Sequence, residues 1–210
     1  MGSYEKEVRS RIAQGKGLPE KVDFSLLRFF WQASPFNRGK GNNIPRFLKE
    51  VTVLKNFTDN QLRILSNFLH LRKFKNDEII FSQDEFGIGF YFIFSGNVGI
   101  EAIDREGGKE VSKFIISLEK YDYFGELALL QNNGLRTATA TSRGDTEILG
   151  IFKPDLDSLM EDHPTVATKL LQSVSIILAN RLTSITKEIK SYKLKIEELE
   201  KINDQNKESE

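Results

Sequence analysis

The stretch Phe124-Gly125-Glu126-Leu127-Ala128-Leu129-Leu130 is followed, across the loop Gln131-Asn132-Asn133-Gly134-Leu135, by Arg136-Thr137-Ala138-Thr139. Gly125 has no Cβ, so another group can approach its backbone closely, and Glu126 to Leu130 reads as a short helix. The first N–H groups of a helix have no intrahelical partner and carry the positive end of its dipole, which suits an anion such as phosphate. Arg136 adds a two-pronged cationic contact to the same anion. Glu126 only accepts hydrogen bonds, so a sugar hydroxyl fits it better than a phosphate does. Gly-Glu-Leu-Ala-Leu alone is a common helix start, and a lone arginine at a strand entrance is ordinary. The two gain meaning together and in this order.

The surroundings favour β structure. Glu78 to Phe81, Phe90 to Phe94, Val98 to Ile103 and Val111 to Leu118 read as short strands, with Gly107-Gly108 as a hairpin turn. Thr137 to Thr141 and Glu147 to Ile151 follow. Short strands punctuated by glycine indicate a jelly roll or barrel rather than a parallel sheet. Upstream, Ile44 to Phe74 reads as helical: Leu62, Leu65, Phe68 and Leu69 recur at spacings of three and four, and Thr58 is placed as an N-cap. The fold class expected is α+β, an antiparallel jelly-roll-like β-roll with flanking helices and a long C-terminal dimerisation helix.

On these residues the chain resembles the cyclic nucleotide-binding domain family, over roughly Phe47 to Lys190, and Gly125 to Thr137 is similar to its phosphate-binding cassette. The resemblance implies that Glu126 accepts from the ribose 2′-OH. It implies that Arg136 neutralises the cyclic phosphate, helped by the N–H groups of Gly125, Glu126, Leu127 and Ala128. Thr137 follows the arginine, where family members that accept cGMP commonly carry a hydroxyl; a hydroxyl there also occurs in a bacterial relative that responds to cAMP. Ser95-Gly96 and the Gly87/Gly89 region match the family's turn glycines. Asp84 replaces a residue that is usually glycine, and Ile88 one that is usually acidic. Asp tolerates the left-handed region, so the turn at Asp84 is expected to survive. In the C-terminal helix, Arg181 matches a position whose guanidinium reaches back to the cassette glutamate, here Glu126. Thr183, Ser184 and Thr186 are hydroxyls that meet the purine edge on this reading.

Composition bounds the alternatives. The chain has 210 residues, 39% of them apolar, with 30 basic and 30 acidic side chains and no cysteine. That excludes disulfides, thiolate metal sites and cysteine nucleophiles. Zero net charge argues against non-specific nucleic-acid binding, so no nucleic-acid partner is expected. No apolar run long enough for a bilayer and no signal-peptide layout stand out, so no membrane association and a cytoplasmic location are expected. With only His70 and His163, a histidine–carboxylate metal site on a β-roll is not expected, and no P-loop, nucleophile elbow or HExxH appears. The chain is therefore read as not an enzyme, with no cofactor and no metal.

Three regions are expected: an extension over 1–45, a β-roll with helical lead-in over 46–162, and a C-terminal helix over 163–210. The extension opens with Met1-Gly2-Ser3, holds an apolar patch from Phe24 to Trp31 whose simplest role is packing, and ends in a loop over 34–43. Pro154 suits the first turn of a helix, and His163-Pro164 restarts one. Beyond Thr165 two series run at seven-residue spacing: Leu171, Leu178, Ile185, Tyr192 and Leu199, and Leu182, Ile189 and Ile196. This is a coiled-coil pattern. With Leu182 at an a position, Glu188 and Lys195 fall at g and Lys193 and Glu200 at e. Both g–e pairs then attract in a parallel pair, so a parallel homodimer is expected. Val166, Leu170, Val174 and Ile177 form a second stripe, expected to pack on the β-roll.

The resemblance implies a non-catalytic sensor or regulatory protein whose ligand, cAMP or cGMP, repositions the C-terminal helix. A ligand-free β-roll acting as a dimerisation module is the alternative. A DNA-binding activator of the same family is disfavoured, because the sequence ends at Glu210 without a helix-turn-helix segment.

Overall fold

The computed structural model describes residues 43–106, 109–131 and 134–207. The apolar patch at Phe24–Trp31, most of the loop over 34–43, the Gly107-Gly108 turn and Asn132-Asn133 lie outside the described residues. The described part belongs to one compact unit, Lys40–Glu210.

Helix α1 (Asn43–Glu50) leads through a 3-10 turn at Thr52–Leu54 into α2 (Asp59–Ser66). Thr58 caps α2 as expected: its hydroxyl accepts from the Gln61 N–H at 3.3 Å, while the Gln61 side chain accepts from the Thr58 N–H at 3.0 Å. This reciprocal capping box satisfies two donors that the helix leaves open. The helical reading stops short of Phe74, however. His70–Phe74 is strand β1, paired antiparallel with residues 146–150 of a long central strand. Five ladder partners outweigh a weak local helical preference there.

Strands β2 (Ile79–Phe81), β3 (Gly89–Glu106), β4 (Lys109–Leu118), β5 (Tyr123–Phe124) and β6 (Thr139–Phe152) complete a six-stranded antiparallel sheet. Its order is β1-β6-β3-β4, with β2 also on β6 and β5 on β3. Two expected pairs of short strands are in fact two long bent ones. Phe90–Phe94 and Val98–Ile103 merge in β3 through Gly96, and the strands expected either side of Gly144 merge in β6, which begins at Thr139 rather than Thr137. Gly96 and Gly144 both have φ +83°, so each strand turns a corner without leaving the ladder.

Alternation along β3 and β6 sends side chains to two faces. Phe90, Phe92, Leu149 and Ile151 join one cluster with Phe47 and Leu48 of α1, Leu62 and Leu65 of α2, and residues of the two C-terminal helices. Those helices are α4 (Lys153–Asp162) and α5 (Pro164–Lys207). The Val166, Leu170, Val174 and Ile177 stripe is buried in this layer, against both the lead-in helices and the sheet. Tyr91, Phe81, Phe124 and Phe152 lie against one another on the opposite face, with ring centroids 5.2–6.0 Å apart. Among the described residues no helix is long and apolar enough to cross a membrane.

Candidate functional site

The short helix is α3, Leu127–Leu130, separated from β5 by Gly125 and Glu126. Gly125 precedes it with φ +78°, and a Cβ there would meet Arg136 Nη1 at 2.7 Å and the Gly89 carbonyl at 3.0 Å. Both conformation and space therefore require glycine. Gly87 is nearly as confined, its notional Cβ 3.1 Å from Ala128 Cβ and 3.2 Å from Arg136 Cζ. Without Cβ atoms, these two glycines leave room for the Arg136 side chain.

Arg136 is held from several sides. Its backbone N–H donates to the Glu85 carbonyl at 2.7 Å, and its own carbonyl accepts from the Asp84 N–H at 2.8 Å. Asp84 adopts φ +64°, so the turn forms with aspartate where glycine is usual. The guanidinium donates to the Gly125 carbonyl at 3.2 Å and the Gly89 carbonyl at 3.0 Å, and its Cζ sits 3.9 Å from the Phe81 ring centroid and 5.5 Å from that of Tyr91. At 7% exposure this is a buried cation. Carbonyl dipoles and ring faces offset part of its lost hydration.

Glu126 is the buried anion, 1% exposed. Arg181 Nη1, from α5, donates to its Oε1. Its Oε2 is buried with no hydrogen-bond partner among the described residues. An unsatisfied buried carboxylate oxygen costs on the order of 1–3 kcal/mol or more, so the site favours a group that donates to it. Tyr123 lies close by. Burial pushes its phenol above the usual range, the Arg181 guanidinium opposes that, and the Glu126 carboxylate adds to it.

The other expected residues divide. Leu127 begins α3, and Ala128, its second residue, is buried. The Ala128 amide is not the open donor that a helix start suggests, because it turns back to the Gly125 carbonyl at 3.2 Å in a tight first turn. Thr137 sits exposed in a bend two residues before β6 begins. Thr183 and Thr186 are exposed on α5, and each hydroxyl donates to the carbonyl four residues back, at 2.9 and 2.8 Å. That back-bonding occupies the donors assigned to a purine edge. Phe81, Tyr91 and Gly87 complete the site and were not singled out in the sequence as contacts of Arg136. The alternation Phe90-Tyr91-Phe92 is the signal that turns Tyr91 away from the helical layer. Among the described residues no cluster of three or more histidine, aspartate or glutamate side chains could hold a metal ion.

Comparison with known proteins converges on this region. The model of the cyclic nucleotide-binding domain family matches residues 71–163. A cAMP-dependent protein kinase regulatory subunit of Mycosarcoma maydis is 35% identical over 102 residues, 49% of this chain and 18% of that protein. The cyclic AMP receptor protein of Thermus thermophilus is 32% identical over 116 residues, 55% of this chain and 50% of that protein. The crystal structure of the Thermus thermophilus catabolite activator protein superposes with a TM-score of 0.57 at 27% identity, covering 66% of this chain and 61% of that one. The chain thus spans half or less of the length of these two sequence relatives.

Proposed function

Since this chain carries a domain of the cyclic nucleotide-binding family over residues 71–163, we propose that it binds a 3′,5′-cyclic purine nucleotide, cAMP or cGMP, without catalysis. The single observation that carries this reading is the pairing of a buried, half-satisfied Glu126 with a buried Arg136 around Gly125. A cyclic nucleotide supplies both complements at once. Its ribose 2′-OH donates to Glu126 Oε2, and its negatively charged phosphate lies against the Arg136 guanidinium.

Binding also reaches the C-terminal helix. Glu126 shares its carboxylate with Arg181, so a hydroxyl donating to Glu126 changes what α5 gains by docking there. A ligand shifts the helix only as far as its affinity differs between the two positions, and this shared carboxylate supplies such a difference. Beyond Leu178 the helix has little of its own domain to cover. Leu182, Ile185, Ile189, Tyr192, Ile196 and Leu199 are 51–66% exposed. The reading assigns this seam to a second copy in a parallel homodimer, with 46–162 as the sensing roll and 163–210 as the helix it moves.

Calorimetric titration of the full chain with cAMP and cGMP tests the reading. Arg136→Ala is expected to weaken binding by a factor of about thirty or more, since losing a desolvated charged partner costs about 2–5 kcal/mol. Glu126→Gln keeps an acceptor and is expected to weaken it less. Unchanged affinity in a folded Arg136→Ala protein overturns the assignment.

A further inference from the structure

We infer that Lys153, the first residue of α4, is a positioning residue that holds the anion-binding segment in place and ties it to the C-terminal helices. Its side chain and its backbone grip the two walls of the site. The Lys153 Nζ donates to the carbonyl of Gln131, the residue that closes α3. The Lys153 N–H donates to the Ile88 carbonyl at 3.1 Å, directly before Gly89, whose own carbonyl accepts from Arg136 Nη2 at 3.0 Å.

Helix α3 has only four residues, too few to be stable from its own hydrogen bonds. The Gln131 N–H still closes on the Leu127 carbonyl at 3.1 Å, which leaves the Gln131 carbonyl at the negative end of the helix. An ammonium at that carbonyl satisfies an end group and complements the dipole. Burial lowers the pKa of Lys153, with Asp157 one turn along opposing it, as expected for an ammonium drawn out of water to make this contact. The contact fixes one end of α3 while Gly125 and Glu126 occupy the other. Because α4 runs on to α5 through His163-Pro164, any displacement of α4 pulls on the anion-binding segment through Lys153. Lys153 touches neither Glu126 nor Arg136 in the contacts described above, so it acts through the placement of α3.

This inference rests on the nucleotide reading, and one set of titrations separates the two. The full chain, Lys153→Met and Lys153→Arg are titrated with cAMP and cGMP, and each is melted without nucleotide. Lys153→Met keeps the stem and removes the donor. It is expected to weaken binding about threefold to tenfold, the worth of one partly exposed charged hydrogen bond, with little change in the nucleotide-free melting temperature. Lys153→Arg retains a cationic donor and is expected to recover affinity to within about twofold of the unaltered chain. If the unaltered chain binds and Lys153→Met binds equally well, this inference fails alone. A melting temperature that falls in step with affinity, or no recovery in Lys153→Arg, also overturns it in favour of a purely structural role. An unaltered chain that binds neither nucleotide overturns both readings.

Discussion

Thr137 shows how far a single residue can take base selection. It follows the buried Arg136 yet is itself exposed, in the bend where the chain leaves the site for β6. A hydroxyl there is free to turn towards a base edge without rearranging the core. One hydrogen bond contributes only about 0.5–1.5 kcal/mol net, or roughly threefold to tenfold in affinity. Thr137→Ala is therefore expected to lower cGMP affinity more than cAMP affinity, within that range. The measurement is the ratio of the two affinities in both proteins; a ratio that does not fall makes Thr137 a bend residue only. Thr183 and Thr186 are weaker candidates for the same task, since their hydroxyls already serve carbonyls of α5. At this scale the sequence was most legible where chemistry is local. Gly125, Glu126 and Arg136 stand within twelve residues of one another, and their residue types state their roles. Phe81 and Tyr91 were not legible in the same way. A ring under a guanidinium arises from sheet register, and in the sequence such rings are indistinguishable from core.

The two long strands illustrate the same limit at the scale of the element. Glycine punctuation was visible, but whether a glycine ends a strand or bends it depends on the partner strand. Here β3 and β6 bend together, Ser95 facing Glu147 and Asn97 facing Arg143 on either side of the corner. The two glycines with φ +83° differ sharply in their surroundings. A Cβ on Gly96 would lie 2.6 Å from the Asp145 carbonyl and 2.6 Å from Thr146 Oγ1, whereas one on Gly144 meets nothing within 4 Å. Gly144→Ala then carries mainly the left-handed backbone penalty, about 1–2 kcal/mol. Gly96→Ala adds a collision with backbone that must move, and is expected to destabilise by about 3 kcal/mol or more. Urea unfolding of both variants checks the contrast; equal losses would mean that the corner at Gly96 is looser than its packing indicates. Strand β1 was missed for a related reason. His70–Phe74 continues a helical spacing of apolar residues, and only the ladder to β6 makes it a strand.

For the whole molecule, the open question is what covers the outer half of α5. Leu170, Val174 and Ile177 are buried against the domain, Leu171 and Leu178 are partly so, and from Leu182 onward the apolar side chains face outward. The change from domain packing to a free seam falls where the heptads take over, which a second copy explains and a single amphipathic helix does not. The magnitudes decide which force matters. Each exposed g–e ion pair contributes only about 0.3–0.5 kcal/mol, whereas burying one of these aliphatic side chains contributes about 1.5–3 kcal/mol. In the proposed dimer, then, the apolar seam supplies the driving force and the charges choose the direction. Sedimentation at micromolar concentration is expected to give a dimer that moderate salt hardly weakens, and a chain ending at Thr186 is expected to be a monomer with its sheet intact. Direction can be read separately, because the chain has no cysteine. In a parallel pair Leu199→Cys meets its own copy across the seam and forms an intermolecular disulfide under mild oxidation. In an antiparallel pair Leu199 lies opposite the region of Leu182, about 25 Å along the helix axis from its own copy, beyond the reach of any disulfide. A dimer by sedimentation that does not cross-link at Leu199→Cys would reject the parallel arrangement while leaving the seam itself in place.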